Sequence, residues 1–222
     1  MRSRPEEGSG LAEADALADL RYVDVGGRWY YAVKRGLDAV CALLGLAVLL
    51  LPLLLVALLI WVDDPGPVLF RQHRVGLNGR RFRIYKFRSM RMSAPKYLSA
   101  AEMEAQQQYL TRVGRVLRRL SIDELPQLLN VLLGDMSLVG PRPLISDEQE
   151  VHRLRERFGV YGVRPGLTGL AQINGRDRVS PEEKVRWDVR YLERFGLWTD
   201  VKILLATVPE VLCGHGTENG KE

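Results

Sequence analysis

A long uncharged segment constrains this chain more than any other feature. Between Ala39 and Val62 the sequence has 24 residues and no charged side chain. At about 1.5 Å per residue, a helix of this length exceeds the roughly 30 Å hydrocarbon core of a bilayer. The segment starts too far into the chain, and is too long, to be the hydrophobic region of a signal peptide. A membrane-associated helix is therefore predicted.

Two features favour a helix hairpin that enters and leaves one leaflet. Pro52 lies near the middle of the segment, where it removes a backbone hydrogen bond and bends or breaks a helix. Both flanks are positive, with Lys34 and Arg35 before the segment and several arginines after it. Basic flanks favour the cytoplasmic side. A hairpin places both flanks there, whereas a single spanning helix, which stays the alternative, places only one.

Basic residues concentrate after the apolar segment. The net charge is +5 and the sequence pI is about 9.4. A basic cluster suits anionic lipid, nucleic acid or a phosphorylated substrate. The two cysteines and three histidines follow no disulfide or zinc spacing, which favours a reducing compartment. The cluster consists of Arg71, Arg74, Arg80, Arg81, Arg83, Lys86, Arg88 and Arg91.

The patterns predict a mainly α protein with one small β-hairpin around Asn78-Gly79. Ser180-Pro181 is a helix start signal, and the amphipathic stretch near the C-terminus is predicted to lie on the membrane plane. No glycine-rich phosphate loop of the GxGxxG or GxxxxGK[ST] type occurs. The expected organisation is a flexible tail (1–30), a membrane helix hairpin (31–64), a cytoplasmic domain (65–214) and a second flexible tail (215–222).

Asp123 and Glu124 form an adjacent acid pair that follows Arg118 and Arg119. One interpretation is helix capping, because Ser121 and Glu124 match the S-x-x-E pattern, or because Asp123 is itself the N-cap with Pro126 in the first turn. The other is an aspartate nucleophile beside a metal-binding glutamate. Carboxylates can attack phosphorus, Mg²⁺ favours one or two carboxylates with phosphate oxygens, and arginine neutralises phosphate charge. On the residues alone both interpretations stay open.

Three further motifs suit anion binding. In "GPRP" the residues Pro141 and Pro143 restrict the backbone around Arg142, which favours rigid phosphate recognition over a plain turn. Lys86 lies on a predicted strand, either as a phosphate contact or on a solvated face. A glycine-rich loop offers polar groups around glycines expected to be flexible, two of which could read a base or sugar. These groups are Arg164, Thr168, Gln172, Asn174 and Arg176, with Gln172 and Asn174 as the base or sugar readers.

Four ordered segments together resemble the bacterial sugar transferases of the monotopic phosphoglycosyl transferase superfamily. They are "KRGLDAV" before the apolar segment, "GLNGRRFRIYKFRSM", "LRRLSIDELPQLLNVLLGDMSLVGPRP" and "VRPGLTGLAQINGR". The resemblance covers about residues 30 to 213. It implies an enzyme that moves a phospho-sugar from a UDP-sugar to undecaprenyl or another polyprenyl phosphate and releases UMP, in bacterial glycoconjugate or exopolysaccharide synthesis.

The resemblance also implies roles for individual residues. Asp123 would be the nucleophile that carries the phospho-sugar, and Glu124 would bind Mg²⁺. Five basic residues would contact phosphates or the nucleotide, namely Lys86, Arg118, Arg142, Arg164 and Arg176. The implied fold is a monotopic membrane protein with a re-entrant helix kinked at Pro52 and amphipathic helices at the interface. One departure is Leu51 before Pro52, where family members often have serine.

The implied location is the bacterial inner membrane, with the catalytic domain on the cytoplasmic face. The implied partners are a UDP-sugar, a polyprenyl phosphate and membrane lipid, without nucleic acid, and a homodimer is left open. Two alternatives stay open from the residues. One is a non-catalytic, membrane-anchored binder of anionic lipid or nucleic acid that uses the basic cluster at 71–91. The other is a membrane phosphodiesterase that hydrolyses UDP-sugars.

Overall fold

A computed structural model describes residues 17, 19–25, 29–94, 108–174 and 180–212. Within these residues the fold is mainly α with a small antiparallel hairpin, as predicted. Its helices are α1 (Trp29–Asp63), α2 (Arg112–Arg119), α3 (Leu128–Leu133), α4 (Gln149–Arg157), α5 (Leu170–Ile173), α6 (Pro181–Glu193) and α7 (Leu197–Leu212). Its strands are β1 (Leu69–Val75), β2 (Arg81–Phe87), β3 (Ser137–Val139) and β4 (Gly166–Thr168). Short 3₁₀ turns cover Leu77–Gly79, Ile122–Gln127 and Val160–Gly162.

Helix α1 continues through Pro52 as one helix of 35 residues and is not divided into two separate helices. One face packs on the rest of the chain, with Ala42 and Ile60 fully buried. In the described part of the chain, α1 alone is long and apolar enough to cross a membrane by length and composition. Its other face needs an apolar environment, and supports membrane association. The exposed side chains include Val40, Leu43, Leu44, Val48, Leu50, Leu51, Leu54, Leu55, Leu58, Leu59, Trp61 and Val62.

Buried polar contacts hold the N-terminal part of α1 against the protein. Asp200 of α7 accepts hydrogen bonds from the Tyr30 hydroxyl at 2.7 Å and from the Lys34 ammonium at 2.5 Å. Asp38 accepts a hydrogen bond from the Leu138 amide of β3 at 3.2 Å and lies 3.7 Å from Lys34. A buried charge without a partner is costly, so these contacts define where α1 meets α7 and β3.

The C-terminal end of α1 is attached to the same globular unit. Asp63 accepts a hydrogen bond from the Val113 amide in the first turn of α2, at 2.9 Å. The next residue, Asp64, accepts one from the Met92 amide at 2.9 Å and pairs with Arg88. Helix α2 therefore starts at the end of the apolar helix and runs toward the acid pair.

The hairpin forms where it was predicted. Strands β1 and β2 pair antiparallel from Leu69–Phe87 to Val75–Arg81. Asn78 and Gly79 both have positive φ, at 53° and 71°, and the Arg80 amide bonds the Leu77 carbonyl. These are the features of a type I′ turn, which Asn-Gly commonly forms between two strands.

Strands β3 and β4 were not predicted, because both segments read as loops. They pair in parallel through Ser137–Gly166 and Val139–Thr168. Each has only three residues, which is too short for an alternating apolar pattern to be visible in the sequence. Their pairing brings the "GPRP" loop beside the glycine-rich loop.

Residues 17 and 19–25 differ from the expected flexible tail over 1–30. Leu17 and Val25 are buried in two apolar clusters, and the Val23 amide bonds the Phe158 carbonyl after α4. Asp19 pairs with Arg186 of α6. Apolar residues spaced along a segment of mixed charge let it cover α4 and α6.

Candidate active site

The acid pair lies in the 3₁₀ turn Ile122–Gln127, between α2 and α3. Ser121, the residue before this turn, is left-handed with φ 54° and its side chain makes no capping hydrogen bond. The Glu124 amide instead bonds the Ser121 carbonyl at 3.2 Å. The N-cap of α3 is Gln127, again without a side-chain hydrogen bond, so neither Ser121 nor Asp123 caps a helix here and the capping interpretation is wrong.

Asp123 is buried, with 9% of its surface exposed. Its pKa is raised to about 6, chiefly by burial and then by the neighbouring Glu124 charge, against the lowering effect of Lys86, Arg118 and Arg142. Desolvation disfavours the charged form of a carboxyl, while nearby cations favour it. The result is a poorly solvated carboxylate that is mostly ionised at neutral pH, as a nucleophile requires.

Glu124 is held by two cations from distant parts of the chain. Its Oε1 lies 2.6 Å from Lys86 Nζ on β2 and 3.5 Å from Arg142 Nη2 in the "GPRP" loop. The solvated-face reading of Lys86 is therefore wrong, because its ammonium is largely buried against a carboxylate. The structure thus brings Lys86, Arg118 and Arg142 to the acid pair.

A shallow cleft opens beside Glu124, whereas the adjacent Asp123 is not among its lining residues, and the sequence predicted this cleft only in part. Arg74 lies on the same face of the hairpin as Lys86, because residues of even number in β1 pair with residues of even number in β2. Strand alternation is the signal that could have found this arginine. The cleft is lined by Arg74, Ile84, Lys86, Glu124, Gln127, Arg142, Pro143 and Gly166.

The "GPRP" loop is rigid for more reasons than its prolines. Each of four consecutive carbonyl groups, from Pro141 to Leu144, accepts a hydrogen bond from a different residue. The donors are the Gly166 amide (2.9 Å), Arg155 (2.8 Å), Arg74 (3.3 Å) and the Val75 amide (3.0 Å), in that order. The backbone that carries Arg142 is thereby fixed to β4, α4 and β1.

The glycines of the two loops allow close backbone packing, whereas the sequence suggested flexibility. A Cβ on Gly166 would lie 2.1 Å from the Gly140 nitrogen, and one on Gly169 would lie 2.1 Å from the Gly140 carbonyl oxygen. No side chain fits at such distances. The expectation of flexible glycines is therefore wrong at Gly166 and Gly169.

Asn130 is a site residue that the sequence did not reveal. It is fully buried, accepts a hydrogen bond from the Tyr85 amide at 3.0 Å and donates one to the Arg83 carbonyl at 2.7 Å. These bonds hold β2 against α3, and so set Lys86 opposite Glu124. Its only signal in the sequence is a polar residue within an apolar helical run.

The glycine-rich loop's predicted ligands lie in several environments. Arg164 donates to the Gly134 carbonyl at 2.8 Å and to the Tyr31 hydroxyl at 3.2 Å, and Asn174 bonds the Leu170 carbonyl. Gln172 is buried, and its Oε1 has no hydrogen-bond partner among the described residues. Arg176 lies outside the described residues. The binding roles of these four residues stay predictions.

Few protein ligands for Mg²⁺ occur near the acid pair. The described residues contain no cluster of three or more His, Cys, Asp or Glu side chains. Mg²⁺ commonly binds through one or two carboxylates together with substrate phosphates, without a complete protein cage. The adjacent carboxylates Asp123 and Glu124 fit this limited requirement, with Glu124 as the less buried of the two.

The described residues thus bring together a buried carboxylate, three cations and a long apolar helix. The family described as bacterial sugar transferase matches residues 29–214, so the chain belongs to this family of enzymes, as the resemblance indicated.

Three relatives of this chain are named as transferases that act on undecaprenyl phosphate. A UDP-glucose:undecaprenyl-phosphate glucose-1-phosphate transferase of Caulobacter vibrioides is 48% identical over 81% of this chain and 69% of that protein. A UDP-N-acetylgalactosamine-undecaprenyl-phosphate N-acetylgalactosaminephosphotransferase of Aeromonas hydrophila is 40% identical over 84% of this chain and 45% of that protein. An undecaprenyl-phosphate galactose phosphotransferase of Salmonella typhimurium is 39% identical over 83% and 41%. This chain thus spans less than half of the last two.

Proposed function

We propose that this protein transfers a phospho-sugar from a UDP-sugar to undecaprenyl phosphate and releases UMP, through a covalent intermediate on Asp123. The observation that carries the proposal is the buried Asp123 carboxylate, set beside Glu124 and near three cations. Helix capping does not explain the pair, and Glu124 lines a cleft together with the basic residues Lys86 and Arg142.

The reaction proceeds in two displacements. In the first, an Asp123 carboxylate oxygen attacks the phosphorus that bears the sugar, and the bond from that phosphorus to the bridging oxygen breaks. UMP leaves with the electron pair, and a mixed carboxylic–phosphoric anhydride remains. In the second, a phosphate oxygen of the lipid attacks the same phosphorus and the Asp123 carboxylate leaves. Both substrates present a phosphate, so one cleft can bind them in turn.

Lys86, Arg118 and Arg142 bind phosphate oxygens and reduce repulsion between the anionic nucleophile and its anionic substrate. Glu124 would hold Mg²⁺, which when bound neutralises further phosphate charge. Burial keeps Asp123 poorly hydrated, so little water must be removed before attack. The rigid "GPRP" loop holds Arg142 without reorganisation during the reaction.

The attachment of α1 supports a monotopic arrangement on the cytoplasmic face of the inner membrane. Lys34 near one end contacts Asp200, and Asp63 at the other end contacts Val113, both in the same globular unit. A straight spanning helix would separate these ends across the bilayer. We infer that α1, which continues through Pro52 as one helix, bends there in the bilayer so that both ends stay on one side and the acid pair lies at the depth of a lipid phosphate.

The names of the relatives share an acceptor and differ in the donor. Undecaprenyl phosphate appears in all three, while the sugar is glucose, N-acetylgalactosamine or galactose. We therefore assign the acceptor by analogy, within exopolysaccharide or glycoconjugate synthesis, and leave the sugar to experiment.

UMP release from a panel of UDP-sugars, with and without undecaprenyl phosphate, tests the proposal. We expect release beyond one enzyme equivalent only with the lipid, and a phospho-sugar mass on the Asp123 peptide without it. Asp123→Asn should abolish both, and the exposed control Asp147→Asn should retain both.

Sustained release without lipid would instead identify a UDP-sugar hydrolase. A folded, membrane-bound protein that releases no UMP from any donor, and carries no phospho-sugar, would contradict the proposal and favour a non-catalytic binder of anionic lipid.

A further inference from the structure

A buried ion pair stands behind the "GPRP" loop, outside the acid pair and the cleft. Arg155 of α4 and Asp188 of α6 are only 3% and 2% exposed. The carboxylate of Asp188 accepts from Arg155 Nε at 2.9 Å, and its Oδ2 lies 2.6 Å from Arg155 Nη2. Val151 and Val189 pack around the pair, the Tyr161 side chain also hydrogen-bonds Arg155, and the charge of Lys184 acts on Asp188.

Stability alone is a weak reason for this pair. Removing two charges from water costs several kcal/mol, and apolar side chains of similar volume are often as stable or more stable in such positions. An arginine also needs good geometry for all its donors when it is buried. Two nitrogens of Arg155, Nε and Nη2, contact Asp188. The contact that the third nitrogen, Nη1, makes therefore indicates what the pair does.

Nη1 of Arg155 donates to the carbonyl oxygen of Arg142 at 2.8 Å. The guanidinium of Arg142 in turn lies 3.5 Å from Glu124. Because the guanidinium is planar, binding Asp188 with one edge orients Nη1 in a defined direction. A continuous path of contacts thus leads from Asp188 through Arg155 to the backbone of the phosphate-binding arginine.

We propose that Arg155, oriented by Asp188, is a positioning residue that aims Arg142 at the substrate phosphate. This inference rests on the proposed function, since it assigns the support for one of that site's phosphate ligands. Arg155 itself reaches neither the acid pair nor the cleft through any contact found in the described residues.

A double-mutant cycle tests the proposal with Arg142→Met, Arg155→Met and the double variant, measured as kcat and KM for phospho-sugar transfer. A displacement of about 1 Å at a reacting centre can cost roughly 10²-fold, so each single variant should lose activity on that scale. If Arg155 acts through Arg142, the activity of the double variant should equal that of the less active single variant, within about twofold. The split between kcat and KM should match in the two single variants.

Two controls separate positioning from folding. Val151→Ala lies one turn before Arg155 on α4 and removes buried volume without touching the path. It should lower the melting temperature while transfer at a permissive temperature is retained. Arg155→Lys keeps a charge opposite Asp188 but lacks the planar fork, so it should restore stability more fully than activity.

Multiplicative losses in the cycle would overturn the proposal, as would a kinetic defect in Val151→Ala equal to that of Arg155→Met. Wild-type protein that transfers no phospho-sugar would refute the proposed function separately. The four proteins would then be compared by their dissociation constants for UMP. The double variant should again bind no more weakly than the weaker-binding single variant. Absence of UMP binding by the wild type would refute both.

Discussion

At the scale of single residues, the burial of Asp123 has consequences for activity and stability. A nucleophilic carboxylate must be ionised, and the pKa of Asp123 is about 6. We therefore expect kcat/KM to fall as the pH decreases through 6. The fall should have the slope expected for protonation of a single group, which is the Asp123 carboxylate. The measurement is a pH–rate profile at saturating lipid.

Arg142 offers a check on this assignment. Its charge lowers the pKa of Asp123, so Arg142→Met should move the acidic limb of the profile to higher pH. A limb that stays in place in this variant would mean that another group limits the rate.

The same carboxylate should destabilise the folded protein at neutral pH. Its pKa is about 6 when folded and 3.8 in the reference state, so the folded state binds more protons between these values and stability falls as the pH rises. Asp123→Asn, measured without Mg²⁺ or nucleotide, should therefore raise the free energy of unfolding by up to about 3 kcal/mol above pH 6. Below pH 4 the variant and the wild type should have the same free energy of unfolding. Equal stability of the two proteins at pH 8 would contradict the assigned burial cost.

At the scale of elements, two short loops depend on backbone contact. A Cβ at Gly166 would overlap the backbone of Gly140, so Gly166→Ala must separate β3 from β4. We expect the free energy of unfolding, measured in urea, to decrease by about 2–3 kcal/mol, and phospho-sugar transfer to be lost. Gly162→Ala is the matched control, because its Cβ would meet no atom within 4 Å. If both substitutions were equally mild, close packing would not be the reason for the glycine.

At the scale of the whole molecule, the two ends of α1 define the membrane arrangement. With Cys41 and Cys213 replaced by alanine, single cysteines at Ala32 and Pro65 report on positions near the two ends. In inverted and right-side-out vesicles, both should react with a membrane-impermeant reagent from the cytoplasmic side only. Labelling from opposite sides would identify α1 as a spanning helix.

Local interactions determined several features that the sequence predicted. Uncharged residues make α1 apolar wherever it packs, and Asn78-Gly79 adopts its turn because these residues tolerate positive φ. Ser180 and Glu183 form a capping box at the start of α6 within four residues. These features can be predicted from the sequence because the residues that interact are close together in the chain.

Only the tertiary structure decided which residues surround the acid pair. The same letters fit a capping motif until β2 brings Lys86, and the "GPRP" loop brings Arg142, against Glu124. The parallel pairing of β3 with β4 and the contact of Arg155 with Asp188 likewise join segments far apart in the chain. The pKa of Asp123 follows from burial, which is a property of packing. Distant partners leave no periodic trace in a sequence, because their meeting depends on how the elements pack.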